Sequence, residues 1–277
     1  GTRSASATGA RCYHRAVADT FQRIHGVAAC RAVAHARPLA VRKAFLVQER
    51  LRDFGWLVED MARRRLGYNI VSAEDLETIT GGVHHEGVCF YVDTAPPPSF
   101  DDLLNEVAAM QRKGSTEAVR VLYLDGVKNP HNLGAIVRTA AHFGVRAILV
   151  PASDAAGLGP AGIRVAEGGA EAVDIIRLNR PADAIVALKE RGLPLFVADA
   201  HEGESVFTVE LPPRCVLALG AEREGISDTL RKLAKRAVFI PGTGSVESLN
   251  VGTAASVLLA EHVRRHGVVR AAKDPRP

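Results

Sequence analysis

The chain has 277 residues, 47% of them hydrophobic and 24% charged. This composition excludes the disordered and fibrous classes and leaves room for one large or two ordinary domains. No apolar stretch approaches the roughly 18 uninterrupted residues of a membrane-spanning helix. The longest runs, such as Cys215 to Gly220, suit buried strands, and no membrane partner is expected. The formal charge of +4 conceals an asymmetry, because residues 1–70 carry +8 and the remainder −4. Twelve of the thirteen cations in that first quarter are arginine, whose planar fork pairs with phosphate oxygens. A polyanion held mainly by the N-terminal part is one explanation, an ordinary solvated face the other. Cys12, Cys30, Cys89 and Cys215 form no C-x-x-C pair, so neither a zinc knuckle nor a disulfide framework is suggested. A reducing cytoplasm is the easiest compartment, and no metal is expected.

In chain order, residues 1–20 are expected to be a flexible segment, the first ten being small and polar like the cut end of a linker. Residues 21–95 alternate helix and strand. The periodicity predicts helices over Gly26 to Ala36 and Leu51 to Arg65, strands over Lys43 to Val47, Asn69 to Ser72 and Val88 to Val92, and a short helix capped by Ser72. Pro96, Pro97 and Pro98 interrupt any element, and Ser99 starts an amphipathic helix to about Lys113, so residues 96–117 read as a linker and connecting helix. Residues 118–277 then alternate strongly. Strands are expected at Arg120 to Asp125, Ala147 to Val150, Asp174 to Leu178, Pro194 to Asp199, Cys215 to Gly220 and Ala237 to Ile240. Helices are expected at Asn132 to Phe143, Ala182 to Arg191, Ser227 to Ala234 and Leu249 to Arg265. Such alternation indicates an α/β domain with a mostly parallel sheet covered on both faces.

Ligands in an open parallel sheet are bound by the loops that leave the carboxyl ends of strands. Three of these loops are unusual: the run from Asp125 through Asn129-Pro130 and Asn132 to Arg138, the run Gly220 to Ser227, and the run Ile240 to Gly252. Singly, each has an ordinary explanation. Asn132 suits a helix cap, Arg138 a solvated helix face, and Gly242 with Gly244 a turn. Gly242-x-Gly244 before a helix is a partial dinucleotide fingerprint, but Glu247 stands where its third glycine belongs, and no Walker lysine follows any glycine loop.

Together the three loops resemble the SpoU/TrmH family of RNA ribose 2′-O-methyltransferases of the SPOUT superfamily. The resemblance is carried by D-x-x-x-N-P-x-N-x-G-A-I-x-R-T-A-x-x-F-G from Asp125, by L-G-A-E-x-E-G-I around Gly220, and by I-P-x-x-G-x-x-x-S-L-N-V from Ile240. It covers residues 118–265 most closely. Residues 22–92, with Ile24-His-Gly-Val at one end and His84-His85-Glu-Gly-Val at the other, look like the family's substrate-binding domain, a small α/β ribosomal-protein-like fold that binds RNA.

The resemblance implies a deep trefoil knot in the C-terminal half, a homodimer with the active site at its interface, and S-adenosylmethionine as cofactor. Backbone groups at the matching positions Gly220, Ile240 and Leu249 would hold that cofactor. Family analogy places Asn132, Arg138, Glu222, Ser248 and Asn250 in the catalytic site. A guanidinium, with a pKa above ~12, is a poor general base. Arg138 is therefore expected to clamp phosphate and stabilise the developing alkoxide. Asn132 and Asn250 are expected to fix loops by side-chain to backbone hydrogen bonds, and Glu222 to orient Arg138 or the substrate. Many members carry serine where this chain has Gly252, a departure that bears on activity. His131 and the pair His84-His85 suit structural or RNA-contacting roles better than a metal site, since adjacent residues do not share a helix face.

In the N-terminal part, Arg42 and Lys43 open a strand while Arg63, Arg64 and Arg65 close a helix, a candidate phosphate-tracking patch for substrate. With aromatics at 5% and one tryptophan, Trp56, recognition of folded RNA by backbone and shape is favoured over base stacking. The function expected is methyl transfer to a ribose 2′-hydroxyl in structured rRNA or tRNA. The alternative is a catalytically reduced RNA-binding or ribosome-associated protein that keeps the fold.

Overall fold

The computed structural model describes residues 21–94, 96, 98–154, 159–200, 202–222 and 224–268. Cys12 and the expectation of a flexible N-terminal segment lie outside these residues. Contacts cluster into two units that part after Pro96.

The first unit begins with a strand that the periodicity did not reveal, β1 (Phe21–His25). It continues through α1 (Val27–Ala36), β2 (Val41–Leu46), α2 (Leu51–Arg63), β3 (Gly67–Ile70), α3 (Ala73–Thr80) and β4 (Val88–Asp93). The sheet order is β1-β4-β2-β3, antiparallel except for the parallel β2–β3 edge pair. On one face, Phe54 and Leu57 of α2 and Val33 of α1 are buried, and Phe54 meets Phe90 edge-on at 5.2 Å between ring centroids. On the other, Leu76 of α3 packs with Phe45 and Cys89. Ser72 caps α3 through a reciprocal box with Asp75, which satisfies two otherwise unpaired backbone donors. The helix predicted to run to Arg65 ends at Arg63, because Arg65 turns into the left-handed region with φ 57°.

The second unit runs α4 (Phe100–Arg112), β5 (Val119–Asp125), α5 (Pro130–His142), β6 (Ala147–Pro151), α6 (Gly159–Val165), β7 (Asp174–Leu178), α7 (Pro181–Glu190), β8 (Leu195–Ala198), β9 (Glu204–Ser205), β10 (Arg214–Gly220), α8 (Asp228–Leu233), β11 (Arg236–Phe239) and α9 (Val251–His266). Its sheet has the order β7-β6-β5-β10-β8-β11-β9, every pair parallel. Successive side chains of a strand point to opposite faces, and β5 shows this directly. Leu122 and Leu124 enter the core shared with Ile136 and Val137 of α5 and Leu258 and Leu259 of α9. Val121 and Tyr123 enter the core on the far side, with Leu103 of α4, Ile185 of α7 and Leu230 of α8. Helices on both faces are why these strands read as unbroken apolar runs. The two-residue β9 and the short α6 are too brief for periodicity to register.

From β5 the chain steps outward through β6 to β7, then returns across the sheet to β8. That reversal puts the carboxyl ends of β5 and β10 side by side, with Gly220 in register with Asp125, which is where a parallel sheet opens a crevice.

Candidate active site

The crevice is a cleft of about 1050 Å³ walled by three loops: Ala198 to Ala200 after β8, Gly220 to Ile226 after β10, and Ile240 to Leu249 after β11. Gly220 is fixed by packing, since a Cβ there would lie 2.1 Å from the carbonyl carbon of Gly225. Gly225 itself has φ 66° and donates its N–H to Ala221 O at 2.9 Å, so the loop after β10 closes on itself. Asp125 ties that loop to β5, accepting from Ser227 N at 2.8 Å on Oδ2 and from Ala221 N at 2.8 Å on its carbonyl. Arg231 of α8 forms an ion pair with Asp199 and donates Nε to Ile226 O at 3.3 Å, joining two of the walls.

Beside the cleft, three side chains from three loops meet. Asn132 donates Nδ2 to Glu222 Oε1 at 3.1 Å, and Asn250 donates Nδ2 to the same oxygen at 2.9 Å and to Asn132 Oδ1 at 3.1 Å. Asn250 is also the cap of α9, accepting from Gly252 N on Oδ1 at 2.9 Å. Its amide orientation follows from both ends at once: the oxygen faces a backbone donor and the nitrogen faces two acceptors.

Several expectations are corrected here. Asn132 is not the cap of α5. Asn129 is, accepting from His131 N at 2.9 Å and Asn132 N at 3.4 Å, with Pro130 at the first helical position. The loop-fixing bond to backbone is thus made by Asn129 and Asn250, while Asn132 bonds side chain to side chain. Glu222 does not orient Arg138. Six residues along a helix rotate a side chain about 120° away from its predecessor, and Arg138 instead pairs Nη1 with Glu167 Oε1 at 2.7 Å. Glu222, Ser248, Gly220, Ile240 and Leu249 all line the cleft, whereas Asn132, Arg138 and Asn250 do not. Gly252 is buried against α5, where a Cβ would sit 3.2 Å from Asn250 Oδ1 and 3.5 Å from Ala135 Cβ.

Sequence reasoning missed Asp125, Asp199 and Arg231. Asp125 stood in the first motif without a role, and Asp199 and Arg231 fall outside all three. Of the basic candidates in the first unit, Arg42 pairs with Asp93 at 2.6 Å and Arg64 with Asp60 at 2.8 Å, and Arg63 lies 3.8 Å from Asp60. Lys43 lies over the Phe45 ring at 4.9 Å. The parallel register of Lys43 with Gly67 brings the start of β2 and the turn at Arg65 to the same end of the sheet. His85 is buried and accepts from Gly87 N on Nδ1 at 3.0 Å, a structural role. Burial pushes the Cys89 and Cys215 thiols up to about 12 and the Cys30 thiol well upward, which leaves them unreactive. Among the described residues no group of three or more His, Cys, Asp or Glu is placed to hold a metal, and no helix is long and apolar enough to cross a membrane.

Residues 119–260 match the SpoU rRNA Methylase family, and residues 23–98 match the domain described as RNA 2′-O ribose methyltransferase substrate binding. The chain belongs to the SpoU rRNA methylase family. The SpoU match takes in all three loops of the cleft. Among its relatives, a protein of Escherichia coli O157:H7 called uncharacterized tRNA/rRNA methyltransferase YfiF is 34% identical over 245 residues, 88% of this chain and 68% of that one. The 23S rRNA (guanosine-2′-O-)-methyltransferase RlmB of Nitrosomonas europaea is 35% identical over 219 residues, 79% of this chain and 80% of that one. The fold is shared with the SpoU methyltransferase AviRb of Streptomyces viridochromogenes in complex with AdoMet, at TM-score 0.68 and 24% identity over 89% of this chain and 90% of that one.

Proposed function

We propose that this SpoU methylase transfers a methyl group from S-adenosylmethionine to a ribose 2′-hydroxyl of structured RNA, rRNA or tRNA, in a reducing cytoplasm. The observation that carries the reading is the convergence of Asn132, Glu222 and Asn250, from three separate loops, at the rim of a cleft large enough for a nucleoside cofactor. The cleft suits a cation: among the described residues its charged lining is Asp199, Glu222, Glu224 and Glu247 against the one guanidinium of Arg231, which pairs with Asp199. Gly220, Ile240 and Leu249 would hold the cofactor, largely through backbone groups. When bound, S-adenosylmethionine supplies an electrophilic methyl group.

The chain's own residues supply orientation and charge. Glu222, gripped by two amide donors on one oxygen, holds the loops after β5, β10 and β11 in fixed relation. Ser248, on the cleft wall, presents a hydroxyl to the substrate ribose. Arg138, which lies outside its own chain's cleft, clamps a backbone phosphate of the RNA. It stabilises negative charge developing on the ribose oxygen at an active site shared across the proposed homodimer interface. The knotted path inferred from the family fits a strand order in which β10 enters between β5 and β8, and a homodimer is the assembly proposed. The first unit binds the RNA body, with Arg42, Lys43, Arg63, Arg64 and Arg65 as its cations, Arg42 and Arg64 exchanging their carboxylate partners for phosphate.

Calorimetry with S-adenosylmethionine and a methyl-transfer assay on cellular RNA test the reading together. Arg138→Ala is expected to lower methyl transfer on the order of 100-fold with cofactor affinity unchanged. Full transfer by this variant would remove Arg138 from the mechanism. Absence of cofactor binding by the native chain would favour the reduced RNA-binding scaffold, to which Gly252 points.

A further inference from the structure

We propose that Glu167 is an electrostatic gate on Arg138, holding its guanidinium in an ion pair that an RNA phosphate must exchange. The inference rests on the reading of Arg138 as a phosphate clamp.

The pair is close, 2.7 Å from Nη1 to Oε1, yet both partners are open to solvent, at 58% and 49% of their side-chain surface. Such an exposed pair contributes little to stability. Against that stands the backbone of Glu167, which adopts φ 45°, a left-handed conformation with a side chain present. A residue with a Cβ adopts this conformation only at an energetic cost. The contact therefore does not stabilise the fold by more than its conformation costs, and strain of this kind persists only where the surroundings impose it.

The surroundings do impose it. The turn carrying Glu167 is pinned to α5 on both sides. Gly134 leaves no room for a Cβ, which would fall 2.7 Å from Gly162 O and 2.8 Å from Val165 Cβ. Gly169 lies against the same helix, where a Cβ would fall 3.1 Å from Val137 O and 3.2 Å from Arg138 Cα. Between them, Glu167 N donates to Arg164 O at 3.1 Å and Gly169 N to Ala166 O at 2.8 Å. The carboxylate is thus delivered by a rigid turn to a fixed height beside Arg138. A guanidinium has five donors in a planar fork, so a phosphate approaching Arg138 meets a fork engaged at Nη1 and a negative charge beside it. Glu167 thereby raises the threshold for weakly bound or wrongly placed phosphates.

The test uses the full chain and four proteins: native, Glu167→Gln, Arg138→Ala and the double variant, each checked for an unchanged thermal midpoint. Affinity for total rRNA is measured across a salt series, with KM for RNA and kcat measured separately. Glu167→Gln should tighten RNA binding about threefold to fivefold at low salt. It should also steepen the dependence of log affinity on log salt by up to about one unit, the contribution of one phosphate contact. KM for RNA should fall while kcat and cofactor affinity stay within twofold. In the Arg138→Ala background the same substitution should have no effect. If Arg138→Ala weakens RNA binding but Glu167→Gln leaves affinity and salt slope unchanged, the exchange idea fails and the clamp stands. An equal gain in both backgrounds would reduce Glu167 to a distant repulsive charge and also overturn it. If Arg138→Ala leaves RNA affinity untouched, the clamp itself fails.

Discussion

At the scale of single residues, the site depends on amides whose two ends do different work. Asn250 accepts from Gly252 N at 2.9 Å and donates to Glu222 and Asn132. Asn250→Asp keeps the cap acceptor but turns an oxygen toward Glu222 Oε1. The expected result is a nearly unchanged unfolding midpoint with methyl transfer reduced tenfold or more. Asn250→Ala loses both functions and costs in addition about 1 kcal/mol of stability from the lost cap, measurable by urea denaturation. Gly220 makes a complementary prediction. Its Cβ would lie 2.1 Å from backbone of Gly225 rather than from any flexible side chain, so Gly220→Ala must displace the loop after β10. Calorimetry should show the affinity for S-adenosylmethionine falling at least tenfold, with RNA binding by the first unit retained.

At the scale of elements, β5 joins the two ends of the second unit. At its carboxyl end Asp125 secures the cleft, and near its start Arg120 is fully buried, donating Nε to His262 Nδ1 at 2.9 Å and Nη2 to Gly267 O. Because Nδ1 accepts, His262 carries its proton on Nε2, which donates to Pro212 O at 2.9 Å. Arg120→Ala leaves a cavity and two stranded acceptors, and is expected to cost about 3 kcal/mol or more in chemical denaturation. Arg120→Met fills the space and should cost less. The sequence showed β5 as a strand, because its apolar residues sit on both faces, but it hid the guanidinium inside it. An arginine in a strand reads as an exposed or edge residue, and only the distant α9 reveals its partner. The same limit explains the rest of the site. Local signals, such as Asn129-Pro130 before α5 or Ser72 before α3, mark helix starts, and the motif glycines mark tight loops. Which carboxylate meets which amide depends on the register of β5 against β10, a contact 95 residues apart in the chain. The pairing of Arg138 with Glu167, as opposed to Glu222, depends on how the turn after α6 packs against α5, which no local signal marks.

At the scale of the whole molecule, acid sensitivity follows from the end of α9. Burial, with Arg120 adjacent, pushes His262 from 6.5 down to about 4. Hydrogen bonding from Arg264, reinforced by Arg265, pushes Glu261 from 4.5 down to about 2. Between pH 6.5 and 4 the unfolded chain takes up a proton at His262 that the folded chain refuses, so stability falls with pH by up to roughly 3 kcal/mol. Between 4.5 and 2 the loss of the Glu261 carboxylate adds to it. Urea midpoints should decline steadily from pH 7 to 4, and His262→Gln should flatten that stretch while lowering the plateau. A different consequence comes from the placement of β10 between β5 and β8. During synthesis both flanking strands emerge before the strand that belongs between them. For the roughly 5 to 20 s needed to add the 95 residues between β5 and β10 at ribosomal speed, the inner edge of β5 has no partner. For roughly the last 1 to 3 s, between the end of β8 and the start of β10, the inner edge of β8 is open as well. Unpaired edges are sites of intermolecular strand addition. The ribosome-bound chain, rather than the finished enzyme, is therefore where this protein most needs shielding, and chains stalled between residues 198 and 214 are expected to aggregate most.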